Sequence, residues 1–253
     1  MEETHRAVED MRKVLCQLRS NAEGEDRRGS EIQGLKSYAE SIRWKLRFLH
    51  HYCGFLNGVQ WADVCRLGTP GFGDPVRVAC GESSEGGPVV LEVRTQDSGR
   101  MMVLTAFDGI VAACVNSADT LGRMLNLAYR LGLEERNANL PMVAQKVQDN
   151  CTVDLILKKN PGIDWMSPVR LLRGECQHGN IAAVIREPDR AFGVPTDDLL
   201  VADTFAIDGQ KGMAVGAYSM VLRDRTLLLL RAVAHAVTAD PIGAIVPKGT
   251  APV

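Results

Sequence analysis

The sequence predicts an α+β protein in which an N-terminal helical stem is followed by antiparallel β-meander modules with packed helices. Three observations support this fold class. Apolar residues recur every three or four positions in residues 1–55, β-rich runs separated by turn residues occupy the middle of the chain, and the helical period returns near the C-terminus. Strands and helices are grouped and do not alternate throughout, which is typical of α+β architecture and unlike a doubly wound fold.

Composition and charge exclude several broad classes of protein. The 253 residues are 45% hydrophobic and 24% charged, so the chain has enough apolar material for a core and differs from a disordered protein. The net charge of −2 provides no overall field that would attract a polyanion. The longest apolar runs are far shorter than the ~20 residues of a membrane-spanning helix, so no membrane span is predicted.

The cysteines indicate a reducing compartment. There are seven of them, an odd number, and they are scattered without a CxxC pair. No basic-then-apolar signal segment is found at the start of the sequence. We therefore expect free thiols and an intracellular protein, either cytoplasmic or nuclear.

Residues 1–55 form the predicted stem, an oligomerisation segment built as a helical hairpin or a short coiled coil. One amphipathic helix covers residues 2–19, and a second covers residues 30–53 with Gly54 at its end. The second helix carries an apolar stripe made of Ile32, Leu35, Ala39, Ile42, Leu46 and Leu49. Because each helix buries only one stripe, it needs a partner surface on the other helix, on the rest of the chain or on a second protein.

Residues 56–87 are predicted to be a Gly/Pro-rich connector with one short strand at residues 76–80. Residues 88–149 form the first α+β half, in which a meander precedes two helices. Its predicted strands cover residues 88–95, 100–106 and 110–115, and its helices cover residues 117–131, ended by Gly132, and 141–149.

Residues 150–240 form the second predicted α+β half, and residues 241–253 a flexible, proline-containing tail. Strands are predicted at residues 151–157, 181–186, 199–207 and 213–222, and a final helix at residues 224–239. A helical stem that leads into meander-then-helix modules resembles the layout of the RWD-type subunits of kinetochore complexes. The resemblance covers the order of elements and no residue motif, and it implies a scaffold subunit.

The segment of residues 43–51 interleaves basic and aromatic side chains. On a helix, Arg43 and Arg47 share one face while Trp44 and Phe48 share the next. This combination is typical of nucleic-acid surfaces, where cations contact phosphates and aromatic rings stack on bases. The favoured interpretation is an amphipathic helix whose aromatic rings pack and whose long basic side chains border the contact.

No metal site, cofactor or catalytic residue is predicted. His51 with Cys53, and Cys176 with His178, are zinc-ligand residue types, but their spacing matches no zinc pattern. Cys176 and His178 lie in the most polar setting for a nucleophile and a base, without any family signature. Residues 68–73 lack the Lys-Ser/Thr ending of a phosphate loop, and the calcium-loop spacing is missing from Asp197, Asp198, Asp203 and Asp208.

The sequence therefore favours a non-catalytic structural or interaction subunit of a multiprotein assembly, which binds itself or another protein through its N-terminal helices. Besides the RWD-like scaffold subunit, two alternatives remain. One is an enzyme or ligand-binding protein whose pocket is assembled from distant residues, including Cys176, His178 and the acidic turns; the other is nucleic-acid binding through residues 43–51. The residues predicted for the protein contact are Leu35, Ile42, Leu46 and Leu49, with Arg43, Trp44, Arg47 and Phe48.

Overall fold

The computed structural model of the chain is predominantly helical. It describes residues 1–21, 28–58, 76–82, 88–93, 95–159, 161–177, 185–186 and 200–248. Within these ranges the chain forms seven α-helices, two single turns of 3₁₀ helix and two short antiparallel pairs of strands. The predicted α+β fold class is wrong.

The bounds of the elements are as follows. The helices are α1 (Glu2–Ser20), α2 (Arg28–Gly58), α3 (Thr95–Tyr129), α4 (Leu140–Lys146), α5 (Thr152–Lys158), α6 (Met166–Gln177) and α7 (Val215–Ala239), and the 3₁₀ turns are Glu135–Asn137 and Asp203–Phe205. The strands are β1 (Val76–Glu82), β2 (Pro88–Val93), β3 (Ile185–Arg186) and β4 (Leu200–Val201). Strand β1 pairs with β2, with Val76 opposite Val93, and β3 pairs with β4.

The meander predicted in the first half is absent. Its first strand exists as β2 but pairs with β1 from the predicted connector, whereas residues 100–106 and 110–115 and the turn between them are all part of α3. From Val103 to Ala128, α3 buries side chains on more than one side, because α2, α4, α6 and α7 all contact it. Apolar residues at nearly every position hide the helical period, so the segment resembles buried strands.

The second half differs from its prediction for a similar reason. The predicted strand at residues 151–157 is helix α5, and the one at residues 213–222 is the beginning of α7. Short apolar runs do not distinguish a buried helix from a strand by period alone. Of the other two predicted strands, at residues 181–186 and 199–207, the described residues form the two-residue strands β3 and β4, and residues 181–184 and 199 lie outside the described part. The described residues hold two two-stranded pairs and no meander, so the layout that resembled RWD-type subunits is not present in them.

Several helices are confirmed. Helices α1 and α2 cover the two predicted stem segments, although α2 continues past Gly54 to Gly58. The predicted helix at residues 117–131 is the C-terminal part of α3, and Gly132 just beyond it has a φ of +73°, a conformation that favours glycine. The C-terminal helix is also present, and α7 begins nine residues before the predicted start at residue 224. None of the helices in the described part of the chain is long and apolar enough to span a membrane.

The four long helices share one core. Helix α2 packs most extensively on α3, and α1 and α7 contact each other as well as the α2–α3 pair. Near the start of α2, Glu31 contacts Arg130, which directly follows the end of α3. Further along α2, Phe48 contacts Gly109, which lies in the first half of α3. The two helices are therefore antiparallel.

The remaining helices cover the outside of this group. Helix α6 packs on α3, where Arg170 pairs with Asp119. Residues 241–253 were predicted as a flexible tail, whereas Ala244 and Ile245 are buried. The backbone N–H of Gln148 donates to the carbonyl of Val246 at 2.7 Å, so this segment is bonded to the region around α4 and α5. Residues 249–253 lie outside the described residues.

We expect the Leu46→Ala substitution to lower the free energy of unfolding by about 2–5 kcal/mol, because it leaves a cavity where a fully buried side chain packs. Chemical denaturation followed by circular dichroism would measure this. The control is Lys36→Ala on the exposed side of α2, which should change the free energy by less than about 0.5 kcal/mol. An unchanged stability together with a reduced molecular mass would instead identify Leu46 as an intermolecular contact.

A second pair of variants tests the contact between α3 and α4. A Cβ atom at Gly122 would lie 2.6 Å from the backbone carbonyl carbon of Asn139, so Gly122→Ala should lower the free energy of unfolding by about 1–3 kcal/mol. At Gly54, inside α2, nothing lies within 4 Å, and Gly54→Ala should raise it by about 0.5–1 kcal/mol through helix propensity. Equal effects of the two substitutions would contradict the close packing at Gly122.

Candidate interaction site

The predicted interaction residues separate into a buried set and an exposed set. Leu35, Ile42, Leu46 and Leu49 have no exposed surface. Their helix, α2, contacts α1, α3 and α7 of the same chain. The apolar stripe therefore already has its partner surface within the chain, and the premise for expecting a second protein at these four positions no longer applies.

The other predicted residues lie on the outside of α2. The side chain of Trp44 is 61% exposed and that of Phe48 is 39% exposed. They are one helical turn apart, so both border the same open groove, which has a volume of about 610 Å³. We call it the aromatic groove. It is lined from α2 by Trp44, Lys45, Arg47, Phe48, His51 and Tyr52, and from α3 by Gly109, Ala112, Ala113 and Asn116.

Ring contacts arrange the α2 side of the aromatic groove. The centroids of Phe48 and Tyr52 are 4.1 Å apart, and His51 meets Tyr52 edge-on at 5.4 Å. The guanidinium carbon of Arg47 lies 5.2 Å from the centre of the Trp44 ring, within the range of a cation–π interaction. The exposed side chains are thus held by one another before any partner binds.

The α3 side of the groove is made of small residues. A Cβ atom at Gly109 would lie 2.8 Å from Cζ of Phe48, so the absence of a side chain lets the Phe48 ring approach the α3 backbone. Gly109 falls between the predicted strands at residues 100–106 and 110–115, so the sequence pattern gave no sign that α3 lies beside these α2 residues. The spacing of Gly109, Ala112, Ala113 and Asn116, by three, four and seven residues, is the signal that would have revealed one face of a helix.

The three basic residues of the segment differ in what they contact. Arg43 pairs with Glu40 at 3.0 Å. The Lys45 ammonium points inward, where it donates to Thr120 Oγ1 at 2.6 Å and to Ser41 Oγ at 2.9 Å, and burial, followed by the nearby Arg123, lowers its pKa. Arg47 has no carboxylate partner among the described residues and remains the free cation at the groove.

Charged side chains of α2 also act on His5, which lies on α1. The pKa of His5 on that helix is lowered, first by burial and then by the charges of Arg43 and Arg47. Glu40 acts in the opposite direction but more weakly. Charges of both signs on α2 therefore act on His5, and each arginine outweighs Glu40.

The catalytic and metal hypotheses find little support in the geometry. Burial raises the pKa of the Cys176 thiol to about 12, which disfavours the thiolate needed for nucleophilic attack, and His178 lies outside the described residues. His51 is exposed while Cys53 is buried, so the two face different surroundings. The described residues contain no group of three or more metal-ligating side chains close enough to share an ion.

The acidic residues considered for a cation have structural roles where the structure describes them. The carboxylate of Asp203 accepts a hydrogen bond from the backbone N–H of Gly212 at 3.0 Å, and Asp208 pairs with Arg225. Asp197 and Asp198 lie outside the described residues. Neither described carboxylate is available as part of an open cation site.

Comparisons of the chain with protein families, with curated proteins and with solved structures found no match. The aromatic groove must therefore be judged from its own geometry and charge. It is the place where the structure brings four residues predicted for interaction, Arg43, Trp44, Arg47 and Phe48, to or near one exposed surface.

Thiol reactivity offers a test of this description. Cys53, Cys114 and Cys176 are buried and have raised pKa values, of about 11, 12 and 12, whereas Cys16 and Cys151 are partly exposed. At neutral pH we expect Cys176→Ser to leave the number of thiols that react rapidly with Ellman's reagent unchanged, because the thiolate is the reactive form. Cys16→Ser is the matched substitution and should remove one reactive thiol. Rapid labelling of Cys176 in the native protein would reopen the nucleophile hypothesis.

Proposed function

We propose that this chain is a non-catalytic interaction subunit that binds a partner protein through the aromatic groove. The observation that carries the proposal is Trp44, a tryptophan 61% exposed at the edge of a groove whose other large rings are already arranged. The proposal keeps the N-terminal helices as the place of association but moves the contact from the apolar stripe to the opposite, exposed part of α2.

The energetics favour a contact at this surface. Removing a large apolar side chain from water contributes about 1.5–3 kcal/mol, and two such side chains stand together here. Tryptophan and arginine are the residues most enriched among those that dominate the binding energy of protein interfaces. The groove places Trp44 and Arg47 in direct contact. A partner that covers both would gain the burial of the indole and shield the cation–π pair from water.

A protein partner accounts for the basic side chains better than a nucleic acid does. Proteins that bind single strands follow the backbone with several free cations and stack bases on aromatic rings. Here the ammonium of Lys45 is turned into the protein and Arg43 is paired with Glu40. Arg47 alone among the lysines and arginines of residues 43–51 is free to meet a phosphate.

The lining of the groove also favours binding over catalysis. Its ten lining residues are aromatic, small, basic or amide side chains, and none is a carboxylate or a thiol. His51 has no acidic lining residue beside it to act as its partner in proton transfer. The lining offers surface for burial rather than a set of reacting groups.

The experiment compares the double variant Trp44→Ala/Phe48→Ala with Leu171→Ala, a similarly exposed apolar residue on α6 that is 64% exposed. The tagged wild-type chain and each tagged variant are recovered from cells, and the amounts of the proteins that accompany them are compared. A protein that accompanies the wild type and Leu171→Ala but not the double variant is then purified, and its affinity for each chain is measured by titration. We expect the double variant to weaken the purified interaction by at least about tenfold, since hot-spot truncations cost ~2 kcal/mol or more.

Unchanged affinity of the double variant would overturn the proposal, as would an equal loss with Leu171→Ala. Far-ultraviolet circular dichroism of both variants provides the control for folding. Because Trp44 and Phe48 are exposed, we expect both spectra to match that of the wild type.

A further inference from the structure

We infer that the segment bound in the aromatic groove is an acidic amphipathic helix of about two turns. This inference rests on the proposed function and names the chemical class of the partner. It combines three features of the described residues: the length and shape of the groove, the small residues on its α3 side and the sign of its uncompensated charge.

The dimensions of the groove match a short helix. Its α2 side extends from Trp44 to Tyr52, eight residues further along the helix, or ~12 Å at a rise of 1.5 Å per residue. Its α3 side runs the opposite way, from Asn116 back to Gly109, over seven residues or ~10.5 Å, because the two helices are antiparallel. A groove between two helices receives a third helix through anchors spaced by three, four and seven residues.

The α3 side permits close approach. Gly109, Ala112 and Ala113 have little or no side chain, so the floor of the groove lies close to the α3 backbone. The Phe48 ring covers Gly109, so large apolar side chains on the incoming helix can occupy the space next to Ala112, between Phe48 and Trp44. The groove therefore favours leucine or phenylalanine anchors on the partner, whose burial supplies most of the affinity.

The charge of the groove selects an acidic partner. Lys45 and Arg47 are the charged lining residues, and no carboxylate lines the groove to balance them. Arg47 has no carboxylate partner within the described part of the chain, and its guanidinium lies over the Trp44 ring at the groove. A glutamate or aspartate at the edge of the bound helix would give Arg47 the planar carboxylate that a guanidinium binds best.

A second copy of this chain is disfavoured by the same charge. In a two-fold dimer through the groove, each copy would present the same surface to the other. The lining of one copy carries Lys45 and Arg47 and no carboxylate, so it would offer Arg47 of the other copy no opposite charge. Like charges brought together in an interface are costly, so the complementary occupant is a different, acidic chain.

The test uses three fluorescein-labelled probes with the full-length protein. The first is a peptide of about 16 residues with leucine and phenylalanine at spacings of three, four and seven and glutamate elsewhere, a pattern that matches a groove-binding helix. The second carries lysine in place of each glutamate, and the third is a single-stranded oligothymidine of about 12 nucleotides, near the site size of one single-strand binding domain. Fluorescence anisotropy measures the dissociation constants, and sedimentation measures the mass of the protein alone.

We expect the acidic peptide to bind at least about tenfold more tightly than the basic one, with binding that weakens as NaCl screens the charges. Arg47→Gln should reduce this preference and Arg47→Glu should reverse it. The matched control is Lys36→Glu, a charge change on an exposed part of α2 that does not line the groove, and it should leave the preference intact.

Each other outcome overturns the inference in a recognisable way. If the acidic and basic peptides bind equally, and both lose binding to Trp44→Ala/Phe48→Ala, the partner is not selected for acidic residues but the groove is still the docking site. If the acidic peptide binds the double variant as tightly as the wild type, the groove is not the binding site, and the proposed function is contradicted as well. Tighter binding of the oligothymidine than of the acidic peptide would assign the groove to nucleic acid. If the wild-type protein sediments at twice the mass of the double variant, the groove binds a second copy of the chain. If none of the probes binds, an acidic helix is excluded.

Discussion

The antiparallel packing of α2 on α3 is the contact on which the remaining structure depends. It is the most extensive helix pair, and together with α1 and α7 it buries Leu35, Ile42, Leu46 and Leu49 of the apolar stripe of α2. Helices α1 and α7 then pack on the same pair. Because burial of apolar side chains supplies most of the free energy of folding, this pair determines which residues of α2 are left to contact water.

The exposed surface follows from the same contact. A helix that turns its stripe toward α3 and α7 directs Trp44 and Phe48 to the border of the pair, where the small residues of α3 leave a groove. Gly109 permits this arrangement, because any side chain there would displace the Phe48 ring. The aromatic groove is thus formed by the packing of the core itself. The same contact separates the basic side chains. The ammonium of Lys45 lies between α2 and α3 and donates a hydrogen bond to Thr120, whereas Arg47 lies outside, beside the indole of Trp44.

The stem helices could be predicted because each carries a single clear stripe at the helical period and is followed by polar or glycine residues. The segment at residues 100–115 could not, because α3 buries side chains toward several neighbours at once and its apolar residues are nearly continuous. In such a run, strand and helix have similar composition, and only the surrounding helices decide between them. The candidate site was half predictable for the same reason: Trp44, Arg47 and Phe48 form a local pattern on α2, whereas Gly109 and Ala112 join them from a distant part of the chain.

The sequence by itself determined that α1 and α2 are amphipathic helices, that residues 43–51 combine basic and aromatic side chains on neighbouring faces, and that a C-terminal helix is present. These properties depend on residues three or four positions apart, and such local spacing is encoded directly. Tertiary structure decided that the stripe is covered by the same chain, that Trp44 stays exposed while Leu46 is buried, and that the middle of the chain is helical. Those outcomes depend on contacts between residues far apart in the sequence. Which apolar surface is buried is decided only when the helices pack against one another.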